Sequence, residues 1–209
     1  MPNLNFIALC IGAFLLGSVP TGLLLGRLKG TDIRKAGSGN IGATNAFRTL
    51  GRALGVLTFL GDTLKGIPFI YLAKCYGYNI ETQATLGFLA FLGHCYSPYL
   101  KFKGGKGVAT GFAIFIYLAP THALIALIAF LLSFFATGII SISSMFAVSS
   151  LFVSFLVLQS EFALLVLSGL VGLVIFVKHR ANIQRLLKGE ESYFNVGLRV
   201  FRKTPQKKG

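Results

Sequence analysis

Seven stretches of the chain carry enough consecutive apolar residues to form helices in lipid, near 4–26, 53–76, 83–100, 107–120, 121–138, 142–158 and 161–177. A helix needs about 20 residues to cross the hydrocarbon core, and the middle stretches are short of that. Pro120-Thr121-His122 punctuates the fourth and fifth, residues 138–144 mark the next reversal, and Gln159-Ser160-Glu161 separates the last two. The pattern predicts an all-α integral membrane protein, a bundle of about seven transmembrane helices. Five crossings result instead if 107–138 dips in as re-entrant helices. No basic residues precede the first apolar run, so it reads as a retained span and not a cleaved signal peptide.

Composition agrees: of 209 residues, 54% are hydrophobic and only 12% charged, with a mean hydropathy of +0.74. Soluble domains carry about 25% charged residues. One membrane domain is expected over 1–191, followed by a basic C-terminal tail, 192–209, lying disordered or on anionic lipid. The net charge of +14 raises the question of nucleic acid. Eighteen of the twenty Lys and Arg residues, however, fall in 27–52, 101–106 and 178–209, which an odd number of spans places on one side. The positive-inside rule makes that side cytoplasmic and the N-terminus external, and no nucleic-acid partner is expected. The three cysteines (Cys10, Cys75, Cys95) lack paired or metal-ligand spacing and read as small core residues.

The polar motifs thus share one face, which suits an enzyme with a cytosolic substrate; pores and alternating-access carriers keep polar groups near the midplane. The stretch 37–48 combines three glycines with Ser38, Asn40, Thr44, Asn45 and Arg48, donors that suit an anion such as phosphate. In the second motif Gly104, Gly105, Lys106 and Gly107 open the fourth helix, a ready phosphate site without Walker A spacing. The third, 178–191, places His179 and Asn182 three apart on one helical face. Asp62 and Lys65, also three apart, form either a self-neutralising structural pair or part of the site. His94 is either a packing residue or a site member, and His122 lies on the opposite side. No His/Asp/Glu cluster has metal-ligand spacing, no G-x-S-x-G is present, and no histidine has an Asp four residues on, so no metal or cofactor is expected. Two classes remain open from the residues: an enzyme using a phosphorylated substrate, or a membrane transporter or exchanger of phosphate or phosphorylated solutes.

Gly17-Ser-Val-Pro-Thr-Gly22, the 37–45 stretch with Arg48, Phe102-Lys-Gly-Gly-Lys-Gly-Val-Ala-Thr110 and His179-Arg-Ala-Asn-Ile183 together resemble the PlsY family. These are bacterial membrane glycerol-3-phosphate acyltransferases that use acyl phosphate as donor. The resemblance implies acyl transfer from acyl phosphate to the 1-hydroxyl of sn-glycerol 3-phosphate, giving lysophosphatidate and phosphate, the first acylation of phospholipid synthesis. It implies location in the bacterial cytoplasmic (inner) membrane among membrane lipids, and as a partner the soluble enzyme that makes acyl phosphate. It also implies that Ser38 and Arg48 match essential positions, the glycines and Lys106 the glycerol-phosphate loop, His179 and Asn182 functional positions, and Glu190 a carboxylate important for integrity. At 137–144, where many relatives read Thr-Arg-aromatic before Ser-x-x-Ser, Gly138 replaces the arginine while Ser141 and Ser144 keep the hydroxyls as candidate substrate ligands.

Overall fold

The structure is a computed structural model that describes residues 4–158 and 161–194. Among these no strand occurs, and all seven apolar stretches become helix. The first is broken: α1 (Leu4–Gly17) and α2 (Thr21–Leu28) meet at 43°. Pro20 causes the break, since it lacks an N–H and disfavours helix in the residue before it. The carbonyls exposed by the break are satisfied from elsewhere. Ser97 Oγ donates to Ser18 O (2.7 Å) and Lys65 Nζ to Val19 O (2.8 Å). α3 (Ala43–Thr49) is a short surface helix ahead of α4 (Arg52–Leu64) and α5 (Pro68–Cys75), which together form one 24-residue apolar segment. Where that segment is interrupted, Thr110 Oγ1 donates to Asp62 O (2.7 Å).

The third stretch sits earlier than expected, as α6 (Ile80–Cys95), and Pro98–Leu100 forms a separate 3-10 turn. α7 (Val108–Leu118) has 11 residues and turns at once into α8 (Pro120–Thr137), followed by α9 (Ile140–Val157), α10 (Phe162–Lys178) and α11 (Arg180–Leu187). Three helical segments are long and apolar enough to cross a bilayer, five if each bent pair counts as one span. α6 and α7 fall short of that length. The 138–144 reversal contracts to Gly138 and Ile139, so Ser141 and Ser144 lie in the first turns of α9 and not in a turn.

Close packing of small residues joins the spans, which in lipid must rely on fit more than on the hydrophobic effect. Gly17 of α1 rests on the Ala90 backbone of α6, and Gly93 of α6 rests on the Phe14 carbonyl. Phe91, Ile114, Phe115, Phe155 and Val171 are buried at the centre. Many large apolar side chains face outward instead, among them Ile11, Leu132, Val157 and Leu173, as expected where the solvent is hydrocarbon. Cys95 is buried, but Cys75 is exposed and not a core residue. Of the predicted tail, residues 195–209 lie outside the described residues, as do Gln159 and Ser160.

Candidate active site

One cavity of about 920 Å³ collects side chains from α3, the start of α7, the start of α9, the α10–α11 junction and the segment after α11. The three motifs, the first and last more than a hundred residues apart in sequence, therefore share one site at one end of the bundle.

The first motif is held by Asn45. Its Nδ2 donates to the carbonyls of Ile33 (3.1 Å), Ala36 (3.0 Å) and Asn40 (2.8 Å), and its Oδ1 accepts from Ser38 N (2.9 Å). That uses all its donors, so Asn45 is a buried strut of the loop and not a free substrate ligand, a correction to the sequence expectation. Gly37, at φ +59°, is required here because a Cβ would strike Asn45 Oδ1. The strut presents Ser38, Asn40 and Thr44 along the cavity wall, and α3 carries Arg48 in its last turn. Arg48 is exposed, and its guanidinium lies 4.8 Å from the centroid of the Phe194 ring.

The second motif departs from expectation in an instructive way. The amides of Gly104 and Gly105 donate to Cys95 O (3.2 Å) and His94 O (3.0 Å), the terminal carbonyls of α6, and neither glycine lines the cavity. They are small because the loop passes against the end of α6: a Cβ on Gly105 would enter the His94 ring. The cavity-facing part begins one residue later. Lys106, Gly107, Val108 and Ala109 line the cavity, and the first amides of α7 have no acceptor within their own helix. Gly107 caps that end at φ +84°, with Phe91 occupying the space a side chain would need.

The third motif supplies a hydrogen-bonded chain. Lys106 Nζ donates to Asn182 Oδ1 (2.6 Å), and Asn182 Nδ2 donates to Glu191 Oε1 (2.6 Å). Glu191 Oε1 also accepts from Ser141 Oγ (2.8 Å), and its Oε2 accepts from Arg185 Nε (2.7 Å). The carboxylate that joins the site is thus Glu191, whereas Glu190 is exposed. Gly189, at φ +69°, ends α11 and turns the chain back, sending residue 190 outward and residue 191 inward. Sequence reasoning missed Glu191 and Arg185; the glycine after a helical run was the available signal. Ser144 lines the cavity, but its hydroxyl donates to Ile140 O (2.8 Å), and Ser141 serves the Glu191 contact.

The electrostatics follow from burial. Burial pushes the Lys106 ammonium down to about 8, Glu191 opposing and the Arg185 and Arg48 charges adding to the fall. Burial, with the Lys106 charge, brings His179 to about 4, so its imidazole is neutral at pH 7. His179 Nδ1 meets Ile175 O at 2.8 Å, and since a carbonyl only accepts, Nδ1 carries the proton and Nε2 keeps its lone pair. Glu191 lies below the usual carboxylate range: burial raises it, but hydrogen bonds from Asn182, Arg185 and Ser141 outweigh that. A pH profile follows. Lys106 is charged below about 8 and neutral above, so kcat/KM for a phosphorylated substrate is expected to fall about tenfold between pH 7 and 9. Lys106→Arg, which stays charged, should lack this alkaline limb; a limb that persists in it belongs to another group.

Asp62, Lys65 and His94 form a buried group at the cavity's inner edge. Lys65 Nζ donates to Asp62 Oδ1 at 2.8 Å and to the Val19 carbonyl, and Asp62 and His94 also line the cavity. His94 Nδ1 lies 3.6 Å from the same carboxylate oxygen, and its ring supports the Gly105 turn. His122 is buried at the far end, stacked on Phe155 and facing Ser154 Oγ at 2.9 Å.

Beyond the cationic end the cavity continues without interruption into an apolar arm between α7, α8, α9 and α10, lined by residues such as Phe115, Ala126, Phe130, Val148 and Val171. A cationic end joined to an apolar arm defines the class: a helical membrane protein whose one cavity offers a surface suited to an anion beside a surface suited to hydrocarbon. The comparisons supply the family. Residues 7–189 match the model of the glycerol-3-phosphate acyltransferase family. A glycerol-3-phosphate acyltransferase of Trichlorobacter lovleyi is 47% identical over 185 residues, 88% of this chain and 95% of that one. One from Geobacter sulfurreducens is 43% identical over 193 residues, 92% of this chain and all of that one. Crystal structures of PlsY, an integral membrane glycerol 3-phosphate acyltransferase, in a glycerol 3-phosphate form and a lysophosphatidic acid form superpose with TM-scores of 0.87 and 0.84. Both are 38% identical and cover 91% of this chain and 96% and 95% of theirs. The chain belongs to the glycerol-3-phosphate acyltransferase family.

Proposed function

We propose that the chain transfers a fatty acyl group from acyl phosphate to the 1-hydroxyl of sn-glycerol 3-phosphate at the cytoplasmic face of a bacterial inner membrane. The single observation that carries this reading is the continuity of the cationic end and the apolar arm in one cavity. A carrier of small phosphorylated solutes has no use for such an arm, whereas an acyl donor needs both parts. Glycerol 3-phosphate binding finds support in the relative solved in that form, and lysophosphatidate as product in the other. The sidedness rests on the charge distribution, with seven spans and the N-terminus outside. The soluble enzyme that makes acyl phosphate is the expected partner at that face.

In this mechanism Arg48, Lys106 and the first amides of α7 hold the two phosphates side by side. The glycerol hydroxyl oxygen attacks the acyl carbonyl carbon, forming the ester C–O bond. The C–O bond to phosphate breaks, and its electron pair leaves on phosphate. The proton must then find a base. A departing phosphate without a proton is far more basic than an imidazole near 4, so the proton goes to phosphate. His179 Nε2 serves as a hydrogen-bond acceptor that orients the hydroxyl, its ring fixed by the Ile175 carbonyl. Ser38 contributes a hydroxyl ligand and not a nucleophile: among the described residues no base is bonded to it.

The purified protein in detergent, where no compartments exist, tests the reading. Acyl phosphate and glycerol 3-phosphate should give lysophosphatidate, and acyl-CoA should not replace the donor. In the same assay His179→Gln should raise the glycerol 3-phosphate KM about tenfold with near-normal kcat. A kcat loss of about a hundredfold would return the proton to His179, and activity confined to sealed vesicles would mean a carrier.

A further inference from the structure

The family match ends at residue 189, yet residues 191–194 continue across the mouth of the cavity as a strap. Its inner end is Glu191 on Asn182, Ser141 and Arg185. Its outer end is Phe194, whose backbone N–H donates to the Gly138 carbonyl at 2.8 Å. Gly138 caps α8 at φ +69°. The Phe194 ring touches two neighbours. The Arg48 guanidinium lies 4.8 Å from its centroid, and Phe134 of α8, which lines the apolar arm, meets it edge-on at 6.3 Å.

A guanidinium seated over a ring is held without an acceptor atom, so its N–H groups stay available to an oxyanion. A carboxylate partner would instead consume those donors. No carboxylate is paired with Arg48 among the described residues. Phe194 also stands at the seam where the cationic end meets the apolar arm, the place where the phosphate and alkyl chain of one donor molecule join.

We propose that Phe194 is a positioning residue for acyl transfer: its ring holds Arg48 without taking its N–H donors, which stay free for a substrate phosphate, and closes the seam between headgroup and chain. The proposal rests on the reading of the cavity as the acyl-transfer site. Phe194→Leu keeps apolar bulk but removes the ring. It should raise KM for at least one phosphorylated substrate about three- to tenfold, with kcat within twofold and Tm unchanged. Phe194→Tyr and Phe194→Trp should stay within twofold of wild type. Because the chain has no tryptophan, Phe194→Trp also places a single tryptophan, excitable apart from the tyrosines, over Arg48. Its emission should change on titration with glycerol 3-phosphate or an acyl phosphate, and Arg48→Lys should weaken that response. Leucine behaving like phenylalanine, kcat and Tm falling together at constant KM, or emission that ignores both ligands would each overturn the proposal. If the wild-type protein fails to transfer acyl groups at all, the function reading fails, while the fluorescence titration still tests the Arg48 contact.

Discussion

Replacing Lys106 by methionine is expected to lower kcat/KM by about 10²–10³-fold, the usual cost of removing one preorganised donor from developing negative charge. The side chain is well placed for that role. It leads into the α7 N-terminus, its ammonium is tied to Asn182, and burial keeps water from screening it. Methionine keeps the length and apolar stem, so the loss reports charge and not packing. Steady-state kinetics in detergent, varying each phosphorylated substrate in turn, checks it; a change below tenfold would remove Lys106 from the charge-stabilising set.

Glu191→Ala carries the second large effect. The Glu191 side chain is 8% exposed and gathers Asn182, Ser141 and Arg185. Hydrogen bonds to charged groups contribute about 1.5–3 kcal/mol each, and the partners left behind have no other acceptor in this geometry. Asn182 would then release Lys106, and the strap would lose its inner anchor. The expected result is a fall in kcat/KM of about 30- to 100-fold together with a lower Tm. Glu190→Ala, one residue away on the exposed side, should leave both within twofold of wild type. Equal effects from the two substitutions would contradict the direction in which Gly189 turns the chain.

That pair also marks how far the sequence was legible. The apolar runs located the long helices though not the surface helix α3, and charge asymmetry grouped the three motifs that the cavity brings together. The spacing of His179 and Asn182 survives as one buried face at the α10–α11 bend. What failed was the assignment of individual glycines and amides. Gly104 and Gly105 look like phosphate ligands in any linear reading, but their amides end α6, because the loop must pass against that helix. Asn45 looks like a donor for substrate, but from α3 its amide is spent on carbonyls of the preceding loop. In both cases carbonyls a dozen or fewer residues earlier, brought back by the turn of the chain, claim the group. Glu191 and Phe194 were invisible for the converse reason: they enter the site only after a glycine reverses the chain, and helical spacing carries no information past that point.

The shortness of α7 has its own chemical consequence. α7 and α8 share the turn at Ala119–Pro120, and at 1.5 Å per residue their 11 and 18 residues rise about 16 Å and about 27 Å. Measured along the helices, Gly107 therefore lies about 10 Å deeper than Gly138. In the acyl transfer proposed above, the donor held there would be a mixed anhydride seated away from the exposed rim of the cavity. Glycerol 3-phosphate, delivered by its own phosphate, would meet little competition from water there, and the short helix would set the partition between ester formation and wasteful hydrolysis.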